Sequence, residues 1–221
     1  NNLIYISVKD KYLGFLDTGG GCTFLFREPL LSYILHIKYF QMDELNFMDK
    51  NVILFIGNDY WKNKIYNFDF KHRKFNFIEK LPKNLISHNM YNKKHNYSLL
   101  DVFFLNENEV FLFDTGATLI RNNINSAISF LDGIIFDKIK DDYKIILNYD
   151  DDGNPCLIIP EIIIFNTIVK NVKFLRRHEN AFIKFFTKIT GIKHIGAIGN
   201  NVLKYFNIVA DFKNKKFYTK D

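Results

Sequence analysis

The stretch Phe111-Leu112-Phe113-Asp114-Thr115-Gly116-Ala117-Thr118 decides how this chain is read. Three apolar residues run straight into Asp-Thr-Gly. The apolar run reads as a buried strand and Gly116 as the turn that ends it, so a carboxylate is left where the backbone reverses. The same construction stands earlier, in Gly14-Phe15-Leu16-Asp17-Thr18-Gly19-Gly20-Gly21. One such tripeptide arises by chance; two, each behind apolar residues, mark an internal repeat.

The repeat extends on both sides. A shift of 97 positions, which carries Asp17 onto Asp114, also places Val8 on Leu105 and Leu16 on Phe113 without a gap. Leu3 to Val8, a turn at Lys9-Asp10-Lys11 and a return over Leu13 to Leu16 match Leu99 to Leu105, Asn106-Glu107-Asn108 and Val110 to Phe113. Each reads as a hairpin whose second strand ends at the aspartate. Further on, Phe55-Ile56-Gly57-Asn58-Asp59 is echoed by Ala197-Ile198-Gly199-Asn200-Asn201. A shift of 142 carries Gly57 onto Gly199, Asp69 onto Asp211 and Phe75 onto Phe217. Asp59 to Ile65 and Asn201 to Tyr205 each predict one short helix, followed by a strand, a basic turn and another strand.

These paired motifs resemble those of the aspartic peptidases, more closely the small retropepsin-like branch than the large pepsins. The resemblance covers nearly the whole chain as two fused halves. It implies a mostly β fold of two retropepsin-like β-barrel lobes about a pseudo-two-fold axis, with a few short helices. It implies an aspartic endopeptidase acting on extended polypeptide, with Asp17 and Asp114 as the catalytic pair. Thr18 and Thr115 would cross-link the two loops, while Gly19 and Gly116 let the backbones approach. Thr118 stands where the family has a hydroxyl that bonds the outer oxygen of the carboxylate. Ile56-Gly57 and Ile198-Gly199 are the apolar-Gly elements. The first copy departs from the pattern: Gly21 lacks the hydroxyl of Thr118, and Gly20 replaces the small side chain of Ala117. Unequal carboxylates follow, with Asp114 the better supported. The alternative is a weak or inactive peptide-binding module on the same fold.

The two halves differ in their middles. From Asp17 to Gly57 there are 40 positions; from Asp114 to Gly199 there are 85. The expected division is a short first lobe over 1–80, a linker over 81–97 and a longer second lobe over 98–221. In the first half, 30–40 and 45–48 are candidate elements. In the second, Asn122 to Leu131 suggests an amphipathic helix, Ile168 to Leu175 a strand and His178 to Thr190 a helix. Tyr143 to Phe165, around Asp150-Asp151-Asp152-Gly153-Asn154, has the strand-turn-strand pattern of a hairpin. It is the candidate flap: Tyr149, Asp151 and Gly153 lie at its tip, and Ile145, Leu147, Leu157 and Ile159 are expected to face a cleft.

Composition narrows the remainder. With 221 residues and 48 % apolar content, the chain can bury a substantial core. Its six histidines show no metal-ligand spacing, and neither metal nor organic cofactor is expected. Cys22 and Cys156 read as two buried thiols without a disulfide framework. The net charge of +6 is spread out; the runs 71–74 and 213–216 read as solvated turns, not a nucleic-acid surface. Each half brings one aspartate, so a monomer suffices. The chain begins at Asn1 and not at Met, so its start assigns no compartment. Three other readings compete with this one. A strand-end Asp can simply cap a turn. Gly19-Gly20-Gly21 lacks the Lys-Ser or Lys-Thr of a nucleotide loop. No Gly-x-Ser-x-Gly elbow is present.

Overall fold

A computed structural model describes residues 5–8, 11–20, 22–29, 39, 50–72, 74–94, 97–121, 124–142, 144–150 and 153–220. Side chains of residues 8 and 118–127 lie outside that description. So do Gly21, Asp151, Asp152 and most of the candidate elements at 30–40 and 45–48.

The fold is mostly β. The first repeat unit opens with β1 (Tyr5–Val8) and β2 (Tyr12–Leu16), an antiparallel pair that delivers Asp17 at the end of β2. After β3 (Phe24–Leu25) comes β4 (Val52–Ile56), which runs parallel to β2 with Leu16 opposite Ile56. A short helix α1 (Asn58–Trp61) follows Gly57. The next strands are β5 (Ile65–Asp69), β6 (Lys74–Ile78) and β7 (Leu85–Asn89). The last of these lies inside 81–97, so that stretch contributes a strand.

The second unit begins with β8 (Leu99–Phe104) and β9 (Glu107–Phe113), again antiparallel, with Asp114 at the end of β9. It continues through β10 (Thr118–Arg121), β11 (Ile124–Ala127) and β12 (Ser129–Leu131), then helix α2 (Gly133–Ile139). Strands β13 (Ile146–Tyr149), β14 (Pro155–Ile164) and β15 (Thr167–Arg176) follow. A π-helical turn over Ala181–Phe186 leads into α3 (Thr187–Thr190), then β16 (Gly196–Ile198) and α4 (Asn200–Leu203). The chain closes with β17 (Asn207–Asp211) and β18 (Lys216–Lys220).

Strands β14, β15, β12, β16, β9 and β8 pair in that order, and β8 returns to pair with β14, which closes a six-stranded barrel. Closure removes the free sheet edges that would otherwise invite pairing with other chains. A separate five-stranded sheet, ordered β6-β5-β17-β18-β7, interleaves strands from the two repeats. Within it β5 and β17 are antiparallel, with Asn67 opposite Val209. Those two positions are related by the same shift of 142 that relates Gly57 to Gly199.

Aromatic packing ties these sheets together. Trp61 is fully buried against Tyr66, Phe68, Phe75 and Phe212. Phe113, the residue before Asp114, meets Phe68 on one side and Phe217 on the other. The strand that ends in one aspartate is therefore gripped by the sheet both repeats share.

Four sequence expectations change. Asn122 to Leu131 is not a helix: Ile124–Ala127 and Ser129–Leu131 are strands, the latter held between β15 and β16. His178 to Thr190 is helical only from Ala181, and its first part is a π-helical turn. Both cysteines are free, but Cys22 is exposed and only Cys156 is buried. Ile145, Leu157 and Ile159 are buried in the main core and do not line a cleft; Leu147 and Tyr149 are exposed.

Candidate active site

Two parallel strand pairs bring the aspartates to equivalent backbone positions. The Asp17 amide donates to Ile56 O at 3.0 Å and the Asp114 amide to Ile198 O at 3.1 Å. Beyond each aspartate the chain turns at once, with Gly20 N donating to Asp17 O and Ala117 N to Asp114 O, both at 3.3 Å. Within each turn one carboxylate oxygen accepts from the glycine two residues on. Gly19 N lies 2.7 Å from Asp17 Oδ1, and Gly116 N lies 3.0 Å from Asp114 Oδ1.

The two loops are locked to each other by the threonines. Thr18 Oγ1 donates to Phe113 O at 2.8 Å and accepts from Thr115 N at 2.9 Å. Thr115 Oγ1 donates to Leu16 O at 3.1 Å and accepts from Thr18 N at 3.1 Å. Both threonines are fully buried. Each hydroxyl spends its one donor and accepts one backbone amide from the opposite loop, so neither loop can shift without stranding polar groups.

The glycines explain the closeness. A methyl group on Gly19 would lie 2.5 Å from the oxygens of Asp114, and one on Gly116 would press on the carboxyl of Asp17. Each carboxylate thus packs on the backbone of the opposite loop. Burial raises Asp17 well above the ordinary carboxylate range, helped next by the charge of Asp114 and by a hydrogen bond between the two. Asp114 is also raised by burial, but the hydrogen bond from Asp17, the amides of Gly116 and Ala117 and the charge of Arg177 all pull it down. Both carboxyls are thus held above the ordinary range, as expected when two carboxyls share one site and one proton.

A further layer holds these loops, in which Thr23 and Ser129, outside any motif of the sequence, bind the apolar-Gly elements. Thr23 Oγ1 accepts from Gly57 N at 3.1 Å and donates to Asp59 at 2.6 Å. Ser129 Oγ accepts from Gly199 N at 3.0 Å and donates to Asn201 at 2.7 Å. Asn200 Nδ2 donates to Thr115 O at 2.7 Å. Ile56 and Ile198 are buried behind Gly57 and Gly199, which admit neighbouring backbone so closely that neither tolerates a Cβ. Tyr97 was also missed, since it falls within the stretch read as linker. It is buried, and after burial the charges of Asp17 and Asp114 are the next causes that raise its hydroxyl's pKa.

Of the candidate flap residues, Tyr149 ends β13 and Gly153 lies in the turn before β14. Tyr149 is exposed, and Gly153 has a φ of 77° with open space around it. Asp151 and the side chain of Thr118 lie outside the described residues. Among the described residues no group of three His, Cys, Asp or Glu side chains gathers as a metal-binding set, and no helix is long and apolar enough to cross a membrane.

Neither a family model nor a curated protein matches the chain. Among solved structures it is similar to a retropepsin-like aspartic protease from Rickettsia conorii, at 15 % identity and a TM-score of 0.40. That alignment covers 64 % of this chain and 95 % of the other. At that degree of likeness the neighbour says nothing about this chain's chemistry, which is read from its own residues.

Proposed function

We propose that the chain is an aspartic endopeptidase of retropepsin-like architecture, built as two fused lobes, 1–80 and 98–221, about a pseudo-two-fold axis. One observation carries this reading: two strand-end carboxyls, each packed against the glycine of the other's Asp-Thr-Gly turn, in loops locked by reciprocal Thr18–Thr115 hydrogen bonds. A turn-capping role needs one aspartate and no partner. The self-equivalent Asn67–Val209 pairing and the reciprocal Thr18–Thr115 bonds support the axis.

The chemistry follows from the shared proton. Asp114, ionised, takes a proton from a water held between the two carboxyls as that water attacks the scissile carbonyl carbon. Asp17, protonated, donates to the carbonyl oxygen as it gains charge, and a proton is then returned to the leaving nitrogen. Proton sharing of this kind is the established behaviour of aspartic-protease dyads. The polypeptide is the only partner required, and one chain supplies both carboxyls.

Incubation with a denatured protein, with and without a statine-type inhibitor, tests the assignment. Inhibitor-sensitive cleavage that is lost in Asp17→Asn and in Asp114→Asn supports it. A folded wild-type protein that binds peptides without cutting them supports the inactive peptide-binding module instead.

A further inference from the structure

Arg176 and Arg177 are adjacent at the end of β15 but are used differently. Arg176 is neutralised: its guanidinium meets Asp137 at 2.6 Å and Glu179 at 3.6 Å. Arg177 pairs with no carboxylate among the described residues. Its guanidinium instead lies over the ring of Phe130, 4.1 Å from the centroid. Such stacking orients a cation without consuming its in-plane N–H donors.

The backbone beneath it is fixed. Arg177 N donates to Leu131 O at 2.9 Å, and a methyl on Gly133 would lie 2.7 Å from Arg177 O. The side chain is open to solvent, yet protein lies close enough to lower the guanidinium's pKa, while the charge of Asp114 acts to raise it. Phe130 belongs to the buried cluster that includes Tyr97, Ala117 and Ala197, next to the Asp114 loop. Together with Asn154, Pro155, Leu175 and Arg176, Phe130 and Arg177 line a cavity of about 290 Å³.

An oriented cation with spare donors, at the wall of a cavity whose Phe130 shares a buried cluster with Ala117 of the Asp114 turn, is suited to a carboxylate. We propose that Arg177 is a specificity-determining residue that receives an acidic side chain of the polypeptide at the subsite against Phe130. The inference rests on the endopeptidase reading and adds a substrate preference to it.

The test reads binding before cleavage. The Asp17→Asn protein is applied to an immobilised array of random decapeptides and their Glu-to-Gln copies. Glu copies are expected to be retained about fivefold better at one position, the upper range for an exposed ion pair. Added salt should shrink the difference. Arg177→Gln in the same background should erase the preference, and Arg177→Glu should turn it toward Lys. Equal retention of Glu and Gln copies, or a preference that survives Arg177→Gln, overturns the proposal. Wild-type protein on soluble copies of the retained peptides tests the other reading separately. An Arg177-dependent Glu preference without cleavage supports acidic-peptide recognition while removing the peptidase.

Discussion

The ring of Phe55 fills the space that a side chain at position 20 would need. A methyl on Gly20 would fall inside the van der Waals envelope of that ring and lie 3.4 Å from Asp17 Cγ. Phe55 is held there by Phe15 and by stacking on Phe24 at 4.8 Å. The second repeat solves the same packing with Ala117 and Ala197, which share one buried cluster. Gly20 is therefore the small half of a size exchange. Gly20→Ala should cost about 1–3 kcal/mol, the usual range for overpacking. Phe55→Leu in the same chain should recover part of that loss. Thermal unfolding of the two single variants and the double variant measures the coupling; simple additivity would mean that the ring is not the obstacle.

Asp17 supplies a stability prediction distinct from its catalytic one. Its folded pKa is raised above the reference value of 3.8. A carboxyl so raised is a stabilising proton acceptor at low pH, and its contribution is lost as pH climbs from 3.8 through the folded value. Asp17→Asn removes that penalty. The variant should be inactive yet melt higher than wild type at neutral pH, with the difference closing as pH falls toward 3.8. A lower melting temperature at neutral pH would contradict the protonation assigned here.

The same assignment sets the pH dependence of cleavage. Under the proposed mechanism, activity needs a proton on Asp17 and a charge on Asp114. The rate should fall on the alkaline side as Asp17 loses its proton, and on the acid side as Asp114 gains one. Initial rates on one peptide across the range should give a bell. A rate still rising through neutral pH would require a different base.

Thr18→Val tests the cross-link. Valine keeps the shape but leaves Thr115 N without an acceptor and Phe113 O without a donor. Each buried group left unpaired costs about 1–3 kcal/mol. Thr18→Ser, which keeps the hydroxyl, should retain most of the stability and the activity. Loss of activity in the serine variant at unchanged stability would show that the methyl, and not the hydroxyl, positions the loops.

Much of this centre was legible in the residues because it is local and duplicated. Asp-Thr-Gly behind an apolar run specifies its own turn, and the two shifts foretell which strands are equivalent. The misses share a physical cause. Ile124, Ala127, Ile128 and Leu131 recur at helical spacing, yet β12 takes its conformation from hydrogen bonds to β15 and β16, more than 40 residues away in sequence. Thr23, Ser129 and Tyr97 act only through partners that the fold brings to them. Asp132 is the extreme case. It is fully buried and accepts from the amides of Ile134, Asn180, Phe182 and Ile183. Nothing in its neighbourhood in the sequence announces that it fastens the π-helical turn to the barrel.

The hairpin of β13 and β14 makes the last prediction. Its root is anchored, since Leu157 and Ile159 are fully buried. Its turn is built from its own residues: Asp150 N donates to Asn154 O at 3.0 Å, Gly153 N to Asp150 O at 2.9 Å, and Asp150 Oδ1 accepts from Asn154 N at 2.9 Å. Pairing between β14 and β15 begins at Cys156 opposite Leu175, so the turn overhangs the end of β15. Asn154 and Pro155 there share the cavity with Phe130 and Arg177. In the endopeptidase reading proposed above, this hairpin would serve as a flap that covers a peptide in that cavity and excludes water from it. Replacing 151–153 by a two-residue Asn-Gly turn should leave the melting temperature nearly unchanged, because the tip buries little. Cleavage should drop at least tenfold, with most of the loss in KM if the tip chiefly holds substrate. Unchanged turnover would confine the hairpin to a structural part of the barrel.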